Sequence, residues 1–523
     1  MIRLTRVAFD ISGTVVWILV AVLVFAGCAF AQFGNSATSQ VSPEATQLPL
    51  SGRSGQNGSV HAVETPVPGT TTSVDTLNPA VQVQGPYSGS ATSTAKTPFS
   101  GKLSLREAIE RALRYNLGAV GLEQAVRQAQ GMSRVARSAL LPNLNGTVSE
   151  TLETLNLKAS GIRFNVSIPG FSVPAVVGPF NYMDARASLT QTVVDLTALH
   201  NYRSSAEIVR SNKMSALDAR DLVVLAVGGT YLQVIAAKAR AESARAQLGT
   251  ANALYQQTLD ERGVGLVAQI DVNRTEVEAL TEQQRLVSLE NDLAKQKINL
   301  ARIAGLPPTD QYELSDDIPF SAAPPIGFDE ALEQALGHRA DLKAAEAQVR
   351  AAELARSAAR AERLPSFSIN ANYGEIGTNP AQAKVTYTVA GTLRVPIWQG
   401  GRTEGEIEQS EAALAQRRAE IEDLRSEIES EVRNAYLDLR AAASQVEVAR
   451  KNLEVSRETL TLTRQRFDAG VTDSVEVVET EQTVAGAELD YVNSVFAHNL
   501  GKLSLARAMG RAEGSLPQLL KTE

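Results

Sequence analysis

The chain has 523 residues, a formal net charge of −8 at pH 7 and one cysteine. An acidic chain does not provide the basic surface that nucleic-acid binding requires, and a lone cysteine forms neither an intramolecular disulfide nor a thiolate metal site. The four histidines are isolated in sequence, and no nucleophile elbow or glycine-rich phosphate loop is present, so we expect no enzyme, no cofactor and no metal site.

The N-terminus has the pattern of an export signal. Two arginines precede an apolar stretch, Val15–Ala31, as in the basic and apolar regions of a secretory signal peptide. The triplet 29–31, Ala-Phe-Ala, fits the small-x-small cleavage rule and would make Gln32 the first mature residue. Alternatively, the sequence ending at Cys28 resembles a bacterial lipoprotein signal, in which Cys28 is acylated, and a retained membrane anchor is the third reading. We assign residues 1–31 to the signal peptide.

The next segment has the composition of a flexible tail. Residues 32–100 are rich in Ser, Thr, Gly, Pro and Gln and contain few charged residues. Such a segment buries too little apolar surface to offset the entropy lost on ordering. We therefore predict that the folded part of the chain begins after this segment.

The remainder of the chain is a tandem duplication. Residues 231–310 align without a gap with residues 436–515, at an offset of 205 (436 minus 231). Upstream the offset becomes 223 (364 minus 141), because the first copy carries an insertion within residues 143–188. The predicted organisation is a first repeat at 101–310, a linker at 311–325, a second repeat at 326–512 and a C-terminal tail at 513–523.

Long helices are predicted in each repeat. In the second, apolar or small residues recur every seven positions from Ile407 to Ala449, and a second series offset by four runs from Val432 to Phe467. This spacing is typical of a coiled-coil seam. Gly470 follows the seam, and Gly265 occupies the same place in the first repeat. Each glycine is predicted to end one long helix in a tight turn before an antiparallel partner helix.

Four segments alternate between apolar and polar residues, which predicts β-strands. The clearest runs from Val385 to Ile397, where every second residue is apolar or glycine. The length and the single apolar face match the strands of outer-membrane barrels, although a soluble sheet with one face on a core would show the same alternation. The predicted strands lie at about 143–158 and 180–194 in the first repeat, and at about 366–376 and 384–397 in the second.

Four strands are too few to form a membrane structure alone. Bacterial barrels start at about eight strands, and an open sheet edge is not stable in lipid. Three copies would supply twelve strands and would bring the long helices together on the same axis. If these strands span a membrane, the predicted fold class is mainly α with a membrane β-barrel. Long antiparallel coiled-coil helices form an α-barrel, and four strands per chain contribute to a trimeric twelve-stranded β-barrel.

The turn segment Gly265–Val272 (GLVAQIDV) resembles the helix–turn segment of TolC-type outer-membrane efflux proteins. The Leu-Pro pairs at Leu141 and Leu364 are similar to that family, and so is the order helix, strand pair, long helix, turn, helix, given twice. The resemblance covers about residues 101–512. It implies a homotrimer in the bacterial outer membrane, with the helical barrel in the periplasm, and two partners: a periplasmic adaptor protein and an inner-membrane pump of RND or ABC type.

The resemblance also implies site residues. In that family the glycine turns form the periplasmic tip, and acidic residues just after them ring the entrance. Those places fall here at Asp271, Glu476 and Glu479, although carboxylates favoured by a helix dipole would look the same. Phe467 and Thr472 stand where the family's efflux archetype has a tyrosine and an arginine, so we do not expect a polar lock through these two side chains. The residues predicted to contact the adaptor are Gly265, Leu266, Val267, Gly470, Val471 and Thr472.

We therefore predict the outer-membrane channel of a tripartite efflux system, a passive exit duct for small molecules. One alternative is a type I secretion duct for polypeptides. The alternative from another class is a non-channel coiled-coil scaffold of the envelope, which would need no lipid-facing strands.

Overall fold

The structure is a computed structural model that describes residues 59–67, 76–91, 99, 101–157, 174–309, 311–316, 320–323 and 326–514. The predicted signal peptide, with Cys28, lies outside the described residues. The same holds for most of the insertion in the first repeat and most of the predicted C-terminal tail.

The described part of the chain contains eight α-helices in two matching sets of four. In each set two short helices precede two long ones. The longest helices have 68 and 67 residues, so each extends for about 100 Å at a rise of 1.5 Å per residue. The first set is α1 (Leu105–Tyr115), α2 (Leu117–Ser138), α3 (Leu196–Gly263) and α4 (Gln269–Ala304), and the second is α5 (Phe328–His338), α6 (Ala340–Ala361), α7 (Arg402–Asp468) and α8 (Ser474–Ala508).

The predicted coiled-coil seam is the buried face of α7. Ile428, Val432 and Ala442 are fully buried, and the small seam residues let α8 approach closely. At Gly501 of α8 an added Cβ would lie 3.3 Å from the Cα of Leu439 on α7. Close packing along this seam, rather than helix propensity, therefore holds the long helices together.

The central core surrounds the middle of α3. The apolar residues from Ala219 to Ala237 are largely buried there, and many of them belong to one core cluster with Leu500 and Leu503 of α8. Among the described residues, α3 is the one helix that is long and apolar enough to cross a membrane. Because most of its apolar window is buried within the protein, we interpret this stretch as a core helix.

Four long strands form one antiparallel sheet, in which they lie side by side in chain order. They are β4 (Asn143–Asn156), β5 (Val176–Val194), β7 (Ser366–Gly377) and β8 (Lys384–Arg394). Three shorter strands precede β4, namely β1 (Val60–Val67), β2 (Thr76–Val83) and β3 (Gly101–Leu103). A further short strand, β6 (Tyr312–Leu314), follows α4. The second strand of the sheet begins four residues before its predicted start (180 minus 176), and the last ends three residues before its predicted end (397 minus 394).

The apolar face of the four-stranded sheet is exposed. Leu144, Val148 and Leu152 of β4 are 72–77% exposed, and Tyr387 and Val389 of β8 are exposed on the same face. The opposite face is polar. Edge strands β4 and β8 each pair on one side only. This arrangement excludes a soluble sheet with its apolar face on a core of the described chain, which was the alternative explanation of the alternation.

The N-terminal segment contains an ordered hairpin, so the prediction of a flexible tail at 32–100 is wrong for residues 59–67 and 76–91. Strands β1 and β2 pair in antiparallel fashion, and a short 3₁₀-helix follows at Gly85–Ser88. An added Cβ at Gly229 of α3 would lie 2.2 Å from Val81, and one at Gly118 would lie 2.3 Å from the ring of Tyr87. These apolar residues fit against glycines on the helices, a local match that the overall polar composition does not reveal.

The predicted linker at 311–325 also contains an ordered element. Its strand β6 pairs in parallel with β3, so the start of the first repeat lies beside the start of the linker. The hydroxyl of Tyr312 donates to the carbonyl oxygen of Lys297 at 2.6 Å, which ties β6 to α4.

Candidate functional site

The two turns between the long helices have the same structure. Gly265 and Gly470 have φ angles of +78° and +71°, in the left-handed region that favours glycine. In each turn the amides of the glycine and of the next residue donate to carbonyl groups in the last turn of the preceding helix, at 2.8–3.0 Å. This bonding pattern satisfies carbonyl groups that a helix end leaves unpaired. The duplicated glycine therefore marks a duplicated turn, and we refer to the two turns together as the tip.

Acidic residues cap the helices that follow the turns. The carboxylate of Asp473 accepts from the amides of Val475 and Glu476 at 3.0 and 3.3 Å. In the first repeat, Asp271 accepts from the amide of Ala268 at 3.3 Å. Asp271 thus stabilises a helix start, which is the structural role that its sequence position also allowed.

Asp271 also joins the two turns. Its carboxylate oxygen Oδ1 accepts from the hydroxyl of Ser474, on the other turn, at 3.3 Å. The same oxygen lies 3.2 Å from the guanidinium of Arg274 on its own helix. These contacts link the start of α4 to the start of α8 within one protomer.

Glu476 is paired across the second turn. Its carboxylate lies 2.6 Å from the guanidinium of Arg466, in the last turn of α7, and it also accepts from the hydroxyl of Thr472. The side chain of Glu476 is 38% exposed, so this ion pair is screened by solvent. Glu479 lies one helical turn further on and is exposed. Of the two glutamates predicted at the entrance, Glu479 therefore contributes the more accessible carboxylate.

The tip also exposes apolar side chains. Leu266 and Val471 occupy matching positions after the two glycines and are exposed, as are Val264 and Ile270 beside the first turn. Val267, which we also predicted to contact an adaptor, is partly buried. Exposed apolar residues clustered at one end of a molecule are typical of a contact surface.

Phe467 belongs to an apolar cluster just behind the tip. It packs against Leu254 of α3 and Val477 and Val478 of α8, of which the three aliphatic residues are buried. The resemblance to the TolC-type family places the tyrosine of a polar lock at this position, but here Phe467 makes an apolar contact. Thr472, the other departure, bonds to Glu476.

Three residues of the tip were missed by the sequence reasoning: Arg466, Asp473 and Ser474. The spacing of Asp473 and Glu476, three residues apart at a helix start, is a recognisable capping signature that could have located the first residue of α8. The contacts of Arg466 with Glu476 and of Ser474 with Asp271 connect different elements, so no sequence spacing reveals them.

The sequence matches a known family. Residues 331–511 match the family described as outer membrane efflux protein. Two relatives are named pyoverdine export outer membrane protein OpmQ. The protein of Pseudomonas putida is 27% identical over 296 residues, and that of Pseudomonas aeruginosa 25% identical over 324 residues. The alignments cover 55% and 60% of this chain and 60% and 65% of the relatives, so less than two thirds of either relative is spanned.

Solved structures show the same fold. The Campylobacter jejuni CmeC outer membrane channel matches with a TM-score of 0.68 at 15% identity, over 78% of this chain and 86% of that chain. The outer membrane protein VceC of Vibrio cholerae matches with a TM-score of 0.66 at 18% identity, over 78% of this chain and 96% of that chain. At these identities the likeness concerns the fold, a mainly helical chain with a small set of strands.

Proposed function

We propose that the chain, whose residues 331–511 match the outer membrane efflux protein family, forms a passive exit duct for small molecules in a tripartite efflux system. The duct would receive its cargo from an inner-membrane pump of RND or ABC type through a periplasmic adaptor. The observation that carries the proposal is the four-stranded sheet, whose apolar face is exposed and whose two edges are unpaired.

The sheet supports a trimer. An exposed apolar face on a sheet is unfavourable in water and favourable against lipid, whereas an unpaired edge is unfavourable in lipid. Both conditions are met when β8 of one protomer pairs with β4 of the next until the barrel closes. Three protomers give twelve strands, within the range of bacterial barrels. A non-channel scaffold would not require such a sheet.

The long helices support the same assembly. On α4 and α7 apolar side chains remain exposed at spacings close to a heptad repeat, outside the seams that the protomer buries. Such stripes are expected where helices of neighbouring protomers pack into a tube. The exposed residues are Ile270, Val277, Leu280 and Val287 on α4, and Val448, Val455 and Leu462 on α7.

The two ends of the duct follow from the position of the tip. The sheet would lie in the outer membrane, and the helices would extend into the periplasm, so the tip would lie at the entrance. We propose that the adaptor contacts the exposed apolar residues of the tip, Leu266 and Val471 first. Asp271, Glu476 and Glu479 would line or support the entrance. Both relatives are named as pyoverdine exporters. This naming supports small molecules rather than polypeptides as the cargo of the proposed duct.

The test is the mass of the detergent-extracted protein together with its conductance. We expect a trimer by native mass spectrometry and steady current when the purified protein is added to a planar bilayer. The matched variant replaces Val389, an exposed apolar residue of the edge strand β8, with lysine. A charge on the lipid face of a barrel costs about 2–4 kcal/mol at the membrane centre, so this variant should insert poorly. A stable monomer, or normal insertion of the Val389→Lys variant, would contradict the proposal.

A further inference from the structure

Three glutamates are buried together between α4 and α8, behind the tip. Glu278 and Glu282 belong to α4 and are 7% and 3% exposed. Glu481 belongs to α8, and its side chain is 10% exposed. We call these three residues the glutamate cluster. Buried carboxylates are rare unless each is paired with a cation or a hydrogen-bond donor. The partners of the three carboxylates therefore decide the protonation state of the cluster.

The cluster has fewer cationic partners than carboxylates. Arg285, on α4, lies 2.9 Å from Glu282. Arg464, on α7, lies 2.8 Å from Glu481. The partner of Glu278 is neutral, because the side-chain amide of Gln482 donates to it at 3.0 Å. Two guanidinium groups therefore face three carboxylates. Where α3 packs on this region it contributes the neutral hydroxyl of Thr258, which lies 2.7 Å from that of Thr275.

One carboxylate oxygen of the cluster has no hydrogen-bond partner. The Oε2 atom of Glu282 is buried and makes no hydrogen bond to the described residues, although its Oε1 atom is held by Arg285. A buried, ionised oxygen without a donor is costly, and a proton on it removes the excess charge.

The pKa values of Glu282 and Glu481 shift in the direction that this geometry predicts. Burial raises the pKa of Glu282, and the neighbouring charges of Glu278 and Glu481 raise it further, against an opposing effect of Arg285. Burial also raises the pKa of Glu481, while its hydrogen bond and ion pair with Arg464 lower it. The net direction is upward for both groups, so each holds a proton to higher pH than an exposed glutamate does.

We propose that the glutamate cluster binds one proton, held at the unpartnered carboxylate oxygen of Glu282, and that this proton stabilises the packing of α4 beside α8. The proton comes from solvent and no covalent bond is broken. When it is lost, three buried carboxylates face two cations, and the repulsion favours separation of the α3–α4 hairpin from the α7–α8 hairpin.

The position of the cluster connects it to the entrance. Glu282 lies 13 residues after the start of α4 (282 minus 269), and Glu481 lies 7 residues after the start of α8 (481 minus 474). At 1.5 Å per residue these distances are about 20 Å and about 10 Å from the turns. Nearer the tip, the contact of Ser474 with Asp271 joins the same two helices. The tip would loosen as the pH rises. This consequence for the entrance rests on the proposed function, whereas the proton site itself does not.

The direction of the pH effect follows from the raised pKa values. A carboxyl group whose pKa is higher in the folded than in the unfolded protein stabilises the fold at low pH. That contribution is lost as the pH rises through the folded-state pKa. The contact between α4 and α8 should therefore be strongest below the unfolded-state pKa and should weaken as the pH rises through the folded-state pKa.

The experiment uses the full chain in detergent and the variant Glu278→Gln. This variant removes one carboxylate and leaves both arginines paired, because the partner of Glu278 is an amide. Infrared spectroscopy follows the carbonyl band of the protonated buried carboxyl group as the pH is raised from 5 to 9 in about half-unit steps. Amide hydrogen exchange, corrected for intrinsic rates, follows the protection of residues 275–285 and 477–485.

In the wild-type protein the buried-carboxyl band should disappear with rising pH, and protection in both segments should fall by up to about tenfold for each unit by which the pKa is raised. In Glu278→Gln the loss of protection should be smaller, because one of the charges that raise the pKa of Glu282 is removed while the burial of Glu282 remains. The control is Glu479→Gln, which removes an exposed carboxylate from the same helix and should retain the wild-type pH profile.

Two results would overturn the proposal: a wild-type protein with no buried-carboxyl band that titrates, or a Glu479→Gln variant that flattens the profile as much as Glu278→Gln does. If Glu278→Gln does not fold, the wild-type titration alone decides. The measurement needs no conducting channel, so a cluster that titrates in a protein without conductance would refute the proposed duct and leave the proton site in place.

Discussion

Replacing each tip glycine by alanine tests how the turns are built. Gly265 and Gly470 both have positive φ angles, and an added Cβ at either position would have no heavy atom within 4 Å. The cost of Gly265→Ala or Gly470→Ala is therefore purely that of the backbone conformation, with no steric contribution from neighbouring residues. For a residue with a Cβ, the left-handed conformation costs about 1–2 kcal/mol.

A control with the opposite sign exists in the same hairpin. Gly249 lies inside α3, and an added Cβ there also has no neighbour within 4 Å. Because its conformation is helical, Gly249→Ala should stabilise the helix by about 0.5–1 kcal/mol. The two substitutions add the same methyl group and differ only in the local backbone conformation.

The assay is amide hydrogen exchange at the helix ends beside each turn, with limited proteolysis as a second measure of local opening. A loss of about 1–2 kcal/mol corresponds to an increase of about 5- to 30-fold in the open population, which exchange measures directly. Gly470→Ala should increase exchange in the last turn of α7 and the first turn of α8, and leave α3 unchanged. Unchanged exchange in Gly470→Ala, or equal effects of Gly470→Ala and Gly249→Ala, would refute the reasoning.

Three further predictions concern other parts of the chain. The double variant Glu476→Gln and Glu479→Gln should reduce cation selectivity in planar bilayers without disturbing the trimer. The single variant Glu479→Gln should account for most of this change. Unchanged selectivity in the double variant would mean that the constriction lies elsewhere. If Cys28 is acylated, intact-mass analysis should show a lipid-modified N-terminal cysteine, and a mature chain starting at Gln32 would exclude this. Tyr87→Ala should destabilise the packing of the N-terminal hairpin by about 3–5 kcal/mol, the range for large buried aromatic side chains, and should make that segment sensitive to protease; wild-type resistance would show that the ring does not anchor it.

The periodic features of the sequence predicted the fold well. The coiled-coil heptads of α7, the glycines at 265 and 470, and the four alternating segments each correspond to an observed element, because each rests on a local pattern. The match of residues 331–511 to the outer membrane efflux protein family agrees with the resemblance carried by the turn segment and the repeated layout. The roles of Asp271, Glu476 and Glu479 at an entrance stay predictions.

What the sequence did not predict depends on contacts between distant segments. The hairpin of β1 and β2 is stable because Val81 and Tyr87 fit against glycines that lie 148 (229 minus 81) and 31 (118 minus 87) residues away in the chain. Likewise, Glu476 lies ten residues from Arg466 (476 minus 466), and only the turn brings the two charges together. Residue composition and periodicity carry no information about such pairs.

The central core has a consequence for how this protein acquires its structure. It packs Val60 of the N-terminal hairpin in one cluster with Leu500 and Leu503 of α8, so its contacts join the two ends of the chain. Contacts of such large sequence separation form slowly, because the loop that they close is long. If the predicted signal peptide directs export from the N-terminus, the core cannot be completed until α8 has also crossed the inner membrane. The apolar face of the four-stranded sheet stays exposed to water even after the core is complete, so we expect the chain to depend on chaperones that bind apolar strands until it reaches a membrane.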